Sequence, residues 1–495
     1  MKSRYNTKGA RMGGVAAIGS MWVLLMLGLA ILGGLILRSS FVFANPENPE
    51  TYRRVHSGWV DGMRTKNDAL AWLGIPYAQA PKGKRRWRAP QPIPKGNLRT
   101  QNKQPKASCR QYNPYQTTDA LIGDEDCLYL NVWSPISSPT SPTRPGDEKG
   151  LPVMVWIHGG SNVLGDSSQY DGSLLATEQE VIVVTLNYRL GVFGWFYHPA
   201  LADSTSPANS SGNYALLDII EALRWVRQNI TAFGGDPKRV TVFGESAGAS
   251  NIYGLLVSPL SEGLFHRAIL QSGSLNSLSL AKASHWVDDS EPGLPNSANE
   301  VLLQLLIQRQ PPLSRKEAKK QLKQMDLNSQ AKLLRDQPLE AFTRAYKTIA
   351  GQQEGHPAGY SFLPQLFEDG YVIPKGGIRL AIQEGRFHSM PIMIGSTRDE
   401  FSLLLAHSPL FGKPIKQPYY ALGSEYLSKM LKAHNVDEPA RMISNKQHAG
   451  VFVYRFDWDH LSSAPWLMGV TLGATHGLDV PFIFGHRNLG PEFIQ

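Results

Sequence analysis

The serine at position 246 has the setting that chemistry at a carbonyl carbon requires. It stands in Gly244-Glu245-Ser246-Ala247-Gly248, directly after the strand-like run 239–243 (RVTVF) and before Ala249-Ser250-Asn251, small residues able to open a helix. A Gly-x-Ser-x-Gly turn between strand and helix is too tight for side chains at its glycines and holds the hydroxyl exposed above the sheet edge. A hydroxyl attacks a carbonyl poorly unless a base takes its proton and donors receive the charge that develops on the carbonyl oxygen. Donors are available at His158-Gly159-Gly160-Ser161, which follows the apolar run PVMVWI, so the backbone amides of Gly160, Ser161 and Ala247 are candidates. Of the histidines beyond the turn, His476 stands out, because Gly473-Ala474-Thr475-His476-Gly477-Leu478-Asp479 reads as a glycine-flanked loop after the last strand. For an acid to orient that histidine, Asp399 and Glu400 follow residues 391–394 through the loop Gly395-Ser396-Thr397-Arg398. The residues alone do not choose between these neighbours, since Asp399 equally fits a loop cap or a partner for Arg398.

These residues need a scaffold, and the chain reads as an α/β protein. Residues 51–60 and 71–75 read as short strands separated by turn residues, an antiparallel start, and LYLNVW (128–133) alternates like a further strand. The Ser/Pro/Thr-rich stretch 134–150 reads as a surface loop. Continuous apolar runs at 152–158 and 181–186 are expected where helices cover both faces of a sheet. The helical pattern 213–229 leads into the strand 239–243, one crossover unit of a parallel sheet. Residues 297–349 are amphipathic and read as an inserted helical region over the sheet, and late strands follow at 391–394 and 451–456.

The 42% hydrophobic and 18% charged composition provides for a large core. The net charge of +9 is not a nucleic-acid signature: Lys2, Arg4, Lys8 and Arg11 precede an apolar run, other basic residues are scattered, and KGKRRWR (82–88) reads as a solvated loop near Pro81 and Pro90. Residues 13–37 are uncharged and long enough to span a bilayer, while Val42-Phe43-Ala44 resembles a cleavage site. Residues 1–44 are therefore expected to be a signal peptide or membrane anchor, and residues 45–495 a body that is periplasmic, extracellular or held at the outer face of the membrane. In that compartment Cys109 and Cys127 are expected to form a disulfide. Asn209 and Asn229 match glycosylation acceptors. The chemistry needs no metal and no organic cofactor.

Six blocks resemble the type-B carboxylesterase family over residues 55–485: GIPYAQAP (74–81), EDCLYLNVW (125–133), WIHGGS (156–161), LNYRLGVFGW (186–195), NITAFGGDPKRVTVFGESAGA (229–249) and FHRAILQSGS (265–274). The resemblance implies an α/β-hydrolase fold, a large, mostly parallel sheet flanked by helices, and a serine esterase acting on small-molecule esters. It implies that Ser246 is the nucleophile, Glu400 the acid and His476 the base, with Gly160, Ser161 and Ala247 at the oxyanion hole. It also places Cys109 and Cys127 at the family's first disulfide, and Glu245 and Asp479 at acidic positions that support the histidine. Four departures stand out: Ser161 replaces a glycine of the oxyanion loop, and Phe401 a glycine after the acid. The loop between the cysteines lacks the tryptophan that receives choline, which points away from cholinesterase activity. The chain ends ten residues after Gly485, where the family continues through a helical segment. A non-catalytic binding protein on the same fold is the alternative class, set aside because the nucleophile, acid and base are all in place. With an unshifted histidine as base, activity is expected to fall below about pH 6.5.

Overall fold

Strands Leu151–Ile157 and Ile182–Leu186 lie inside a larger sheet, the second wholly buried and the first buried at Val153 and from Val155 to Ile157, as runs without polar alternation require. In the computed structural model, which describes residues 50–112, 121–136, 150–351, 365–406, 417–458 and 473–485, nine described strands make up this sheet. Labelled in chain order they are β1 (Met63–Arg64), β2 (Ala69–Pro76), β3 (Tyr129–Pro135), β4 (Leu151–Ile157), β5 (Ile182–Leu186), β6 (Gly235–Glu245), β7 (Arg267–Gln271), β8 (Ile392–Thr397) and β9 (Val451–Phe456). Their spatial order is β9-β8-β7-β6-β4-β5-β3-β2-β1. The strands from β5 to β9 in this order pair in parallel, whereas β3, β2 and β1 form an antiparallel edge. This is the α/β-hydrolase architecture. All of it lies in one unit, Thr51–Gln495.

Helix α1 (Tyr214–Asn229) buries nearly its whole length, and α2 (Ala247–Val257) follows β6 directly. The inserted region consists of α3 (Ala298–Arg309), α4 (Arg315–Gln324), α5 (Leu327–Arg335) and α6 (Leu339–Gly351). These helices pack Leu302, Leu306, Leu334 and Phe342 with Trp87, Phe196 and Tyr214 into a hydrophobic cluster separate from the main core. α4 begins with a capping box, Ser314 and Glu317 exchanging side-chain and backbone hydrogen bonds.

Residues 51–60 are not one strand. They form a hairpin of Tyr52–Val55 and Gly58–Asp61, which joins Leu98–Gln101 in a separate three-stranded sheet. Gly58, at φ 146°, permits this, since a Cβ there would lie 2.0 Å from Leu98 O. The two glycosylation triplets are used inside the fold. Asn209 Nδ2 donates to Asp203 and its Oδ1 accepts from the Ala89 amide, while buried Asn229 donates to Trp225 O and accepts from the His56 amide. Residues 13–37 and 42–44 lie outside the described residues, among which no helix is long and apolar enough to cross a membrane.

Candidate active site

β6 ends at Glu245 and α2 begins at Ala247, leaving Ser246 alone at the junction with φ 55° and ψ −121°. A non-glycine residue at positive φ is strained and persists only where its surroundings enforce it. Here the backbone closes on both glycines: a Cβ on Gly244 would lie 2.6 Å from Ile157 O, and one on Gly248 2.0 Å from the same atom. The Ser246 amide donates to Gln271 O at the end of β7 (2.8 Å), and the Ser272 amide, also at φ 55°, donates to Gly395 O on β8 (2.8 Å). Ala247 is thus left in the first turn of α2, where amides have no partner within the helix.

Glu400 is 1% exposed, just beyond β8. Its Oε1 accepts from the Thr397 amide (2.7 Å) and from the Ser272 hydroxyl, and its Oε2 is hydrogen-bonded to His476 Nδ1. Asp399, left open by the residues alone, has another task. Its carboxylate accepts from Arg398 and from the Ala474 amide, and its own amide donates to Ala474 O, so it fastens the histidine loop to the end of β8. Phe401 is not at a positive φ, so the backbone at this position does not require glycine.

The other ring nitrogen, His476 Nε2, lies 3.0 Å from Glu245 Oε1. Among the described residues no hydrogen bond joins it to Ser246. Asp479 stands one step further away, accepting from Gln271 Nε2 (2.8 Å) and the Tyr454 hydroxyl (3.1 Å). Burial disfavours the imidazolium of His476, but Glu245 and Glu400 outweigh it and hold the pKa well above the ordinary histidine value. Burial pushes Glu400 up, yet the His476 charge and hydrogen bond, with the Ser272 and Thr397 donors, bring it below the usual glutamate value. Asp479 is pushed up to about 6, by burial first and then by Glu245. His476 therefore holds its proton to higher pH than an unshifted histidine would.

The loop after β4 turns through three left-handed residues, Gly160 (φ 91°), Ser161 (φ 56°) and Asn162 (φ 61°). Gly160 and Ser161 line a cavity of about 650 Å³ whose walls include Leu190, Phe193, Phe342 and Tyr346. The far end of the loop is held through the disulfide region. Cys109 and Cys127 are bonded, and Gln111 both donates to Gly165 O (3.0 Å) and accepts from the Gly165 amide (2.8 Å). Among the described residues no group of three His, Cys, Asp or Glu side chains is arranged to hold a metal ion.

The carboxylesterase family matches over residues 49–411. The chain belongs to the carboxylesterase family. It is a carboxylic ester hydrolase of the serine hydrolase class. Relatives include the para-nitrobenzyl esterase of Bacillus subtilis (strain 168), 35% identical over 85% of this chain and 80% of that protein, and the fumonisin B1 esterase of Sphingopyxis macrogoltabida, 33% identical over 92% and 78%. A solved structure of a PNB esterase superposes with a TM-score of 0.65 at 32% identity, covering 90% of this chain and 85% of that one. The Geobacillus stearothermophilus carboxylesterase does so with 0.64 at 29%, covering 89% and 84%.

Three residues of this carboxylesterase's site escape a reading of the sequence. Ser272, Gln271 and Tyr454 carry no motif of their own, and reach Glu400 or Asp479 only because β7, β8 and β9 are neighbours. The block FHRAILQSGS contains Ser272, but nothing in its letters shows that the hydroxyl faces a carboxylate 128 residues along the chain.

Proposed function

We propose that the enzyme hydrolyses carboxylic esters in two steps through an acyl group carried on Ser246, with His476 as general base and Glu400 orienting it. The observation that carries this reading is the pairing of His476 Nδ1 with a buried carboxylate beside the strained Ser246 turn. Glu400 accepts a hydrogen bond from Nδ1–H, so in the neutral ring the Nε2 lone pair is the one that takes the Ser246 proton. Catalysis then requires Nε2 to turn from Glu245 toward Ser246 Oγ, an adjustment common when substrate closes an empty site. Ser246 Oγ bonds to the ester carbon, the carbonyl oxygen takes up the negative charge under the amides of Gly160, Ser161 and Ala247, and the alcohol leaves with the proton returned by His476. Water, deprotonated by the same histidine, attacks the acyl-enzyme and releases the acid.

The aromatic walls of the cavity and the relative named a para-nitrobenzyl esterase support aryl and benzyl esters as first substrates. The basic start, the apolar run 13–37 and the disulfide support an exported location, to be checked by cell fractionation. The decisive experiment is hydrolysis of p-nitrophenyl acetate by the enzyme and by Ser246→Ala, with mass spectrometry of the quenched reaction. Loss of turnover and of the acetyl adduct in the variant is expected. Turnover that survives the substitution would refute the reading.

A further inference from the structure

Two asparagines join the oxyanion loop to the helix that follows Ser246, and the chemistry above uses neither. Asn162 and Asn251 are 3% and 0% exposed. Asn251 Nδ2 donates to Asn162 Oδ1 at 2.9 Å, and Asn162 Nδ2 faces Asn251 Oδ1 at 3.5 Å, so the two amides meet head to head. Asn251 lies four residues beyond Ala247 in α2, on the same helix face one turn along. Asn162 is the second of two consecutive non-glycine residues in the left-handed region, next to Ser161. Such a pair relaxes toward right-handed backbone unless something holds it. Its backbone is held at one further point, where Asn162 O accepts from the Gly191 amide (2.7 Å).

We propose that the Asn162–Asn251 pair is a positioning device that keeps the Gly160 and Ser161 amides in register with the Ala247 amide, so that all three face one oxygen. The proposal rests on the reading of Ser246 as nucleophile. Two donors belong to the loop after β4 and the third to α2, so their convergence depends on a link between those elements. The amide pair supplies that link directly: it reaches α2 itself, one turn from the third donor. Because both side chains are buried, water cannot replace a lost partner, and the pair is held more firmly than a surface hydrogen bond.

The experiment compares the full-length enzyme with Asn162→Gly, Asn251→Ala and the double variant. Asn162→Gly keeps φ near 61° without steric cost and removes only the side chain. Losing this side chain leaves buried Asn251 without its partner, so the melting temperature should fall modestly, and rates are compared per titrated site well below it so that a fall in rate would not reflect unfolding. Each single variant is expected to lose about tenfold in kcat on p-nitrophenyl acetate, and the double variant no more, since the link is broken once. KM should stay within about threefold. Affinity for a trifluoromethyl ketone, which adds Ser246 Oγ to its carbonyl carbon and leaves an oxyanion, should fall by the same factor as kcat/KM. A purely structural role would reduce stability or the fraction of titratable sites, but not turnover per site or inhibitor affinity. Parental kcat per site in Asn162→Gly, losses that multiply in the double variant, or unchanged ketone affinity would each overturn the proposal. Activity surviving in Ser246→Ala would instead overturn the assignment of the nucleophile on which it rests.

Discussion

Replacing Gly248 with alanine puts a methyl group 2.0 Å from Ile157 O and 2.8 Å from His158 O. Both atoms are backbone at the end of β4, so neither can rotate away. To reach the 3.4 Å at which contact becomes ordinary, the start of α2 has to withdraw by about 1.4 Å. The withdrawal carries Ala247 and Ser246 with it, while Gly160 and Ser161 stay with β4. Misplacing a catalytic group by about 1 Å costs about 10²-fold, and losing one oxyanion donor about 10²–10³-fold. A fall in kcat of about 10²–10³-fold is therefore expected, or about 3–4 kcal/mol on the barrier. Overpacking should also cost about 1–3 kcal/mol of stability. Gly254→Ala on the same helix is the control. Its methyl meets Leu366 Cδ2 at 2.3 Å, the end of a side chain that can move, so stability should drop while kcat stays near the parental value. The assay is steady-state hydrolysis of p-nitrophenyl acetate, normalised by active-site titration and paired with thermal unfolding. A folded Gly248→Ala enzyme within about threefold of the parental kcat, below the smallest loss expected from misplacement, would refute the reasoning.

Glu245→Gln removes a negative charge 3.0 Å from His476 Nε2. A base held above its usual pKa is protonated and idle at low pH, so removing the carboxylate lets the neutral form persist further into acid. The acid limb of kcat/KM should move to lower pH, and a limb that stays in place would show that Glu245 does not set it. Ser272→Ala deprives buried Glu400 of a donor, and leaving a buried acceptor short costs about 1–3 kcal/mol, so kcat should fall about tenfold or more at unchanged KM. Unchanged kcat would refute that role. Replacing Cys109 and Cys127 by serine opens a loop of sequence separation 18, which should cost about 3 kcal/mol and lower the melting temperature, whereas an equal melting temperature would refute it.

Much of the scaffold was legible because its signals are local. The two apolar runs that became β4 and β5, the helix at 213–229 and the Gly-x-Ser-x-Gly turn each announce themselves within one short continuous stretch. The hairpin at 52–61 was misread because its sheet partner, Leu98–Gln101, lies far along the chain. The choice between Asp399 and Glu400 shows the same boundary within the site. Both carboxylates end the same strand, and only the tertiary position of residues 473–476 gives one the Ala474 amide and the other the imidazole. The pKa of His476 was out of reach for the same reason, since it depends on two glutamates brought together from β6 and the end of β8.

The two left-handed serines at the ends of β6 and β7 have a consequence for how such a site can change over time. Each donates an amide hydrogen bond to a carbonyl near the end of the adjoining strand, Ser246 to Gln271 and Ser272 to Gly395, so the reactive groups are metered by the sheet's own spacing of about 4.8 Å per strand. A ruler of that kind does not register how long the excursions between its marks are. Between β7 and β8 the described residues form six helices, those of the inserted region among them, and β8 still pairs in parallel beside β7. Insertions there can reshape what the cavity admits while the distance from Ser246 to the carboxylate stays as it was, which separates the evolution of substrate choice from that of bond cleavage.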